Sequence, residues 1–436
     1  MSSVTYPENW KGVTIENISS FVGRGIGPNY SDIETDVIAI NQKCIRNGKV
    51  NIDFGRCHDN ASLVRQSAIL NINDICINST GDGTIGRVGL WDKPNSTSSF
   101  FVDSHVTIVR PISEESDSKY LSELLSSDWI QNDIARYCFT GSTNQVELSR
   151  TELLQLTLYF PELKQQQKIA EILSTVDNLI DQTQNLIDKY TAVKQGMMAD
   201  LFSRGIDLSG TPESNKNYGQ LRPSYEEAPE EYQETELGLI PVSWEIVTLE
   251  SISTVERGKF THRPRDDERC YGGDHPFIQT GSVTKSQGGF ITEYKQTLSD
   301  FGRNVSKEFP AGTIAVTIAA NIADTGILEI PMCFPDSVVG VVVNNDFATT
   351  RFVEISIRRS KRKLDALAPL SAQKNINLED LRPLKLALPN IEEQKELCRK
   401  YETQELLIQQ EKAYLEKLNL KKKGLMQDLL TGKVKV

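Results

Sequence analysis

The stretch Pro161-Glu162-Leu163-Lys164-Gln165-Gln166-Gln167-Lys168-Ile169-Ala170, continued to Phe202, decides how the rest of this chain is read. From Glu162 to Gln195 it holds neither Gly nor Pro. Ile169, Val176, Tyr190 and Met197 mark one position of a seven-residue repeat, with polar Thr183 as the gap. Ile172, Leu179, Leu186 and Val193 mark a second. Steps that alternate three and four are the seam of a coiled coil. At 1.5 Å per residue such a helix is about 50 Å long. An apolar seam of that length is unstable in water, so it calls for a long partner.

The chain contains that partner. Asn390 to Lys423 is also free of Gly and Pro. Pro389 follows Pro161 by 228 residues, and Gly424 follows Gly196 by 228. Pro161-Glu162-Leu163 and Gln166 match Pro389-Asn390-Ile391 and Gln394, and Gly196-Met197-Met198-Ala199-Asp200-Leu201 matches Gly424-Leu425-Met426-Gln427-Asp428-Leu429. Leu397, Tyr401, Ile408, Leu415, Leu418 and Leu425 form its seam, which Gln404, Glu411 and Lys422 interrupt; Leu407 and Tyr414 lie off it and point to a further neighbour. The match extends to the opening of each half. Pro7, Trp10 and Val13-Thr14-Ile15-Glu16 recur as Pro241, Trp244 and Val247-Thr248-Leu249-Glu250 at an offset of 234. Like ends at a fixed offset read as an internal duplication.

Composition sets limits. The 436 residues are 38% hydrophobic and 25% charged, the balance of a globular protein with room for two cores. No apolar run approaches the roughly 18 residues of a membrane span. The opening Met-Ser-Ser-Val-Thr-Tyr-Pro-Glu lacks the basic and apolar regions of a signal peptide. Seven scattered cysteines without Cys-x-x-Cys predict reduced thiols and a cytoplasmic protein. The net charge of −11 excludes a surface coated with phosphate-binding groups but not local basic faces. Residues 1–160 carry 13 basic and 19 acidic side chains, and residues 237–388 carry 18 of each.

Between the matching ends the halves diverge. Short β-branched runs such as Asp36–Ile40, Ile69–Ile77, Ser104–Val109, Gly312–Ile318 and Val338–Val343 predict strands between Gly, Asn and Asp turns. Tyr120 to Tyr137 reads as helix with Ser118 as its cap, and Ser360 to Leu367 as its counterpart. Leu156–Tyr159 and Leu384–Leu388 read as strands leading into the long helices. Residues 207–236 combine Gly, Pro and Ser with six glutamates near their end, the composition of an extended or irregular tether. Such a tether lets the second half reverse direction, so that the helices pack antiparallel.

Gly81-Asp82-Gly83-Thr84-Ile85-Gly86 has dinucleotide-binding spacing, but Arg87-Val88-Gly89-Leu90 is a poor helix to follow it, so a strand-to-strand loop is expected. Thr84 and Arg87 could there meet a phosphate backbone. Phe21-Val22-Gly23-Arg24-Gly25 resembles the glycine loop of S-adenosylmethionine methyltransferases, yet no Asn/Asp-Pro-Pro-aromatic motif accompanies it. The four histidines share no metal-ligand spacing, and no Gly-x-Ser-x-Gly, His-Glu-x-x-His or Walker sequence appears, so neither a metal site nor a catalytic residue is expected. Two basic clusters, Arg257 to Arg265 with Lys259, Arg263 and Arg265, and Arg358-Arg359-Ser360-Lys361-Arg362-Lys363, are candidate phosphate contacts or else solvated faces. Thr143 and Gln145 in the first half, and Gln373 and Lys374 in the second, occupy equivalent polar turns that can read base edges.

Together these features resemble the specificity subunit of type I restriction-modification systems. Leu158-Tyr159-Phe160-Pro161-Glu162-Leu163, Gln166, Ile169-Ala170 and Leu173 carry the resemblance, with Leu388-Pro389-Asn390-Ile391 and Gln394. Glu236-Leu237-Gly238-Leu239-Ile240-Pro241 with Trp244, and Gly424 to Val434, add to it. The family's Glu-Gln pair stands here as Gln165-Gln166 in the first copy and Glu393-Gln394 in the second. The resemblance implies an α+β fold of two mixed, strand-rich target-recognition domains, residues 1–160 and 237–388. Two conserved antiparallel helices, within 161–206 and 389–436, join them, with a linker at 207–236. It implies double-stranded DNA as ligand, read in two halves across a gap that the helices measure. It also implies two methyltransferase subunits carrying S-adenosylmethionine, and restriction-translocase subunits, leaving this chain without cofactor or catalysis. Two other readings stay open: a methyltransferase fused to its recognition domain, and a coiled-coil scaffold for proteins.

Overall fold

The computed structural model describes residues 4–59, 64–93, 98–141, 146–319, 321–368 and 375–436. The chain forms two compact units, Met1–Ile187 with Gln410–Val436, and Asp188–Gln409. The long helices run over Leu163–Arg204 and Ile391–Leu430, so each begins in one unit and ends in the other.

The duplication that the sequence shows only at its ends runs through both units. In the first, Lys11–Thr14 pairs antiparallel with Thr157–Phe160, just ahead of the long helix. In the second, Glu245–Thr248 pairs the same way with Lys385–Leu388. The main sheet of the first unit has the order 19–24, 106–111, 75–78, 88–90, 48–50, 45–46. That of the second has the order 253–257, 338–343, 314–317, 325–328, 290–291. A smaller sheet in each carries one parallel pair, Val37–Ile40 with Ser99–Val102, and Tyr271–Phe277 with Met332–Cys333. The echo between Ile75–Asn78 and Ile314–Thr317 is thus an equivalence of position: both are buried third strands.

Helices pack on these sheets. Asp117, not Ser118, caps the first, whose side chain accepts from the Tyr120 N–H at 2.9 Å. It spans Ser118–Ser126, and Ser127 breaks it from Asp128–Asp133. Its counterpart is Thr350–Arg359, capped by Thr349, and Lys361–Leu367 is a separate helix after it. The β-branched residues of Thr350–Arg359 hid it from a propensity reading, but Val353, Ile355 and Ile357 are fully buried. Val353 and Ile357 join the core on the sheet side, Phe352 and Ile355 the core with the long helices, and burial on both sides outweighs the weak helix preference of β-branched residues.

Along the first long helix the buried rows are Ile169, Val176 and Thr183 and, one residue later than expected, Leu173 and Ile187. Ile180 is half-buried, whereas Leu179 and Val193 of the expected second row are 39% and 47% exposed. Positions three and four apart both share a helix face, so the two rows compete. Positions 172, 179, 186 and 193 are all apolar, whereas the other row runs into Lys194. In the structure Lys194 belongs to that row: its ammonium lies 4.6 Å from the centre of the Tyr401 ring and 2.9 Å from Glu405. Ile172, Leu186, Tyr190 and Met197 are half-buried. On the second helix the expected seam is buried at Leu397, Tyr401, Ile408 and Leu418 and half-buried at Leu415 and Leu425; Leu407 and Tyr414 are exposed.

Within each unit the two helices run antiparallel. In the first, Asp177 meets Lys422 at 2.8 Å, while the earlier Ile169 and Leu173 join a core with the later Leu429 and Leu430. In the second, Lys194 meets Glu405, while the later Leu201 and Phe202 join a core with the earlier Leu397 and Cys398. Lys422 occupies an interrupted seam position because Glu123 also pairs with it at 3.0 Å.

The acidic linker is irregular, as its composition implies, but it is not loose. Arg222 makes a two-pronged ion pair with Glu393, whose carboxylate also accepts from the Ile206 N–H at 2.8 Å. Both charged side chains are buried. Residues 232–235 then pair with 238–241 in a hairpin. Gly205 adopts φ +70°, and a Cβ there would press into Arg222, Glu393 and Trp244. All seven cysteines are unpaired thiols; burial pushes Cys44, Cys138 and Cys333 up to about 11 and Cys398 to about 12.

Candidate nucleic-acid interface

Strand register decides where the candidate residues go. In the first unit the strand 75–78 ends at Asn78, which pairs with Val106, the first residue of the next strand. Arg24, the last residue of 19–24, pairs with Thr107. The turn 79–87 therefore opens at the same end of the sheet as the segments that follow Arg24 and precede Val106. A third element joins them there: the Leu148 N–H donates to the Ser79 carbonyl at 2.8 Å, and Arg24 pairs with Glu147 at 2.9 Å.

The turn 79–87 links two strands directly, as expected, with Gly81, Gly83 and Gly86 at positive φ. Thr84 is half-buried, its hydroxyl donating to the Gly81 carbonyl at 3.2 Å. Arg87 is exposed and donates to the Gly83 carbonyl at 2.9 Å, which leaves the rest of its guanidinium fork toward solvent. Thr143 and Gln145 lie outside the described residues, between strands Phe139–Thr140 and Glu147–Leu148. Two neighbours join them. His105 bonds Thr80 at 2.8 Å, and Arg56 stacks 3.7 Å over the half-exposed Tyr30 ring. No local pattern marks His105, whereas Arg56 belongs with Lys43, Arg46 and Lys49 to a loose basic cluster of the first half.

The second unit repeats the arrangement. Arg257 ends its strand opposite Val339, and Val338 opposes Thr317, so the turn 318–324 opens at the same end. Ile376 donates to the Ile318 carbonyl at 3.0 Å, and Arg257 donates to Asn377 at 3.2 Å. Gln373 and Lys374, just before this contact, lie outside the described residues.

The first basic cluster is a framed loop. Lys259 donates from its backbone to Phe334 at 3.0 Å, and Thr261 to Val305 at 3.0 Å, around a buried Phe260. This leaves the side chains of Lys259, Arg263 and Arg265 exposed. Arg263 donates to the carbonyls of Phe260 and His262, and Arg265 pairs with Asp336 at 3.0 Å. Arg269 and His262 hold the Asp267 carboxyl well below the usual range.

The second cluster separates. Arg358 is committed to buried Glu354 at 3.0 Å and to the Gln287 carbonyl at 3.0 Å. Arg359 lies 4.6 Å over the Phe202 ring on the long helix. Lys361 pairs with Asp324, which places it beside the turn 318–324. Of the three, only Lys361 comes to the end of the sheet where the other candidates gather.

Gly25 and Gly258 are equivalent. A Cβ on Gly25 would overlap the carbonyls of Val102 and Asp103, and one on Gly258 those of Phe334 and Pro335. Gly25 therefore serves a close backbone approach just after its strand, and Gly23 makes room for the Phe21 ring.

The profile of the type I restriction modification DNA specificity domain matches this chain twice, at residues 7–191 and 241–420. The MjaX specificity subunit of a type I restriction enzyme from Methanocaldococcus jannaschii is 25% identical, over 99% of this chain and 95% of its own length. The MjaVIII specificity subunit from the same organism is 22% identical over 100% and 95%. The crystal structure of a type I S subunit from M. genitalium superposes with a TM-score of 0.58 at 16% identity, covering 98% of this chain and 97% of that one.

Proposed function

The chain belongs to the type I restriction-modification DNA specificity family, and from that premise we propose that each of its two recognition domains reads one half of a split double-stranded DNA site through the loops gathered at one end of its main sheet. The observation that carries this reading is the repeated register. In both units different loop sequences, with Arg87 in one and Lys259, Arg263, Arg265 and Lys361 in the other, are delivered to the same end of the same strand order. A constant frame with variable loops suits two independent half-sites. Guanidinium and ammonium groups there meet phosphates, while amides and hydroxyls meet base edges.

In this reading the chain performs no chemistry of its own. Two methyltransferase subunits bring S-adenosylmethionine, and restriction-translocase subunits bind the same assembly in the cytoplasm. The packing of Gly25 against the Val102 and Asp103 carbonyls supports this, because it gives that glycine a structural role. The net charge of −11 makes isolated binding weak and steeply salt-dependent, so the partners supply much of the phosphate contact.

The test is domain exchange followed by methylome sequencing. Replacing residues 20–150 with the equivalent segment of another family member, in cells that supply the partner subunits, should change one half of the methylated sequence and leave the other. A swap that alters both halves, or neither, refutes independent reading.

A further inference from the structure

Gln166 and Gln394 hold identical positions in the two repeats, and both are buried polar side chains. Each is fully used. The Gln166 Oε1 accepts from the Asp117 N–H at 3.0 Å, and its Nε2 donates to the carbonyls of Pro161 at 3.0 Å and Glu115 at 3.4 Å. The Gln394 Oε1 accepts from the Thr349 N–H at 2.8 Å, and its Nε2 donates to Pro389 at 2.9 Å and Phe347 at 3.2 Å. One acceptor and two donors meet one N–H and two carbonyls in each unit. Among side chains of this length only glutamine offers that set; a glutamate would turn oxygen toward both carbonyls.

What the clamp joins is informative. Asp117 and Thr349 are the residues that cap the helices Ser118–Ser126 and Thr350–Arg359. Those corners follow directly from the strands 106–111 and 338–343, whose opposite ends begin at the candidate reading loops. Each glutamine thus ties the first turn of a long helix to the near end of the strand that bears the loops at its far end. A six-residue strand is about 20 Å long at 3.3 Å per residue. A tilt of roughly 10° about the clamp would shift the loops by about 3.5 Å, close to the ~3.4 Å rise between base pairs.

We propose that Gln166 and Gln394 are positioning residues that fix the angle of each recognition domain on its long helix, and so restrict the assembly to one length of unread gap. The inference rests on the split-site reading above. Losing a clamp leaves the bases read by that domain unchanged and broadens the spacing tolerated.

The experiment uses the full chain assembled with its methyltransferase subunits and a pool of DNA sites. These carry the two native half-sites at the native gap and at gaps one or two base pairs shorter or longer. Methylation at each gap is read by sequencing. With Gln394→Met, and separately Gln166→Met, discrimination between the native gap and its neighbours should fall by about tenfold, the scale of one buried hydrogen bond, with both half-site sequences unchanged. Gln394→Glu should behave like Gln394→Met. Leu173→Ala, a core truncation away from the clamp, should lower stability without relaxing the gap. Unchanged discrimination in the glutamine variants, altered half-sites, or equal relaxation in Leu173→Ala overturns the proposal. Should Gln394→Met not assemble, Gln394→Glu and Gln166→Met decide alone. A wild-type assembly that methylates no split site would instead refute the reading on which this rests.

Discussion

The pair between Arg222 and Glu393 invites a quantitative test. Glu393 keeps 1% of its side-chain surface and Arg222 10%, so neither charge can turn to water. Both carboxylate oxygens take a guanidinium N–H, and one also takes the Ile206 N–H at 2.8 Å. Changing Arg222→Met leaves a buried carboxylate with a single neutral donor, a loss of about 3–5 kcal/mol. For a unit of the size of Asp188–Gln409, each kcal/mol moves the melting point by about 2–4 °C, so a fall of roughly 6–20 °C is expected in that unit's transition. The linker should open with it. Cleavage by a glutamyl endopeptidase at Glu226, Glu227, Glu230, Glu231, Glu234 and Glu236 should accelerate in proportion. The double change Arg222→Met with Glu393→Met should regain most of the stability, because apolar replacement of a buried pair is often neutral. Calorimetry with limited proteolysis is the assay. A single variant that costs less than about 0.5 kcal/mol, the ordinary surface value, and leaves cleavage unchanged would refute the strap.

Three further outcomes are expected. Leu173→Ala should cost about 2–5 kcal/mol, as packed leucines do, whereas Leu179→Ala, at a position 39% exposed, should cost far less in the same denaturant titration. Burial raises the Glu354 carboxyl above its ordinary 4.5 against the pull of Arg358 and Arg351. Its contribution, measured as wild type minus Glu354→Gln, should therefore be fully present below pH 4.5 and decline as pH rises through the raised folded value; the reverse slope would show that the arginines outweigh burial. Neutralising Lys259 and Arg265 should each reduce the slope of log binding against log salt by about 1. Arg358→Ala should instead unfold its surroundings, because it strips a partner from buried Glu354.

The frame of this fold is legible in the sequence because its signals are repeated. Two Gly- and Pro-free stretches at one offset give the helices, and Trp10 with Trp244 gives the openings of the two halves. What escaped is governed by tertiary contacts. Lys194 looks like a break in a seam until Tyr401 and Glu405 are placed around it. The helix Thr350–Arg359 escapes a local reading because its β-branched residues favour a helix only weakly. Among the candidate contacts, Arg87, Lys259, Arg263 and Arg265 combine charge with neighbouring turn residues and are exposed. Arg358 has the same local signature and is consumed by Glu354, 4 residues earlier on its own helix. Local sequence shows a charge but not its partner. The difference between Gln165 and Glu393 also becomes physical here, since only the second copy has an arginine from the linker to bind.

The discontinuity of the first unit bears on how the chain is made. Leu429 and Leu430 are buried in the core that holds Leu153, Ile169 and Leu173. Leu429 follows Ile187 by 242 residues, and at roughly 5–20 residues per second a ribosome needs about 10–50 s to cover that distance. The second unit, continuous from Asp188 to Gln409, is fully synthesised before the first can close. The usual order of folding, amino-terminal part first, is therefore reversed. During synthesis the stripe of Ile169, Leu173 and Val176 waits without its covering helix and is a natural client for chaperones. A stop codon late in the reading frame disables the domain encoded at its beginning.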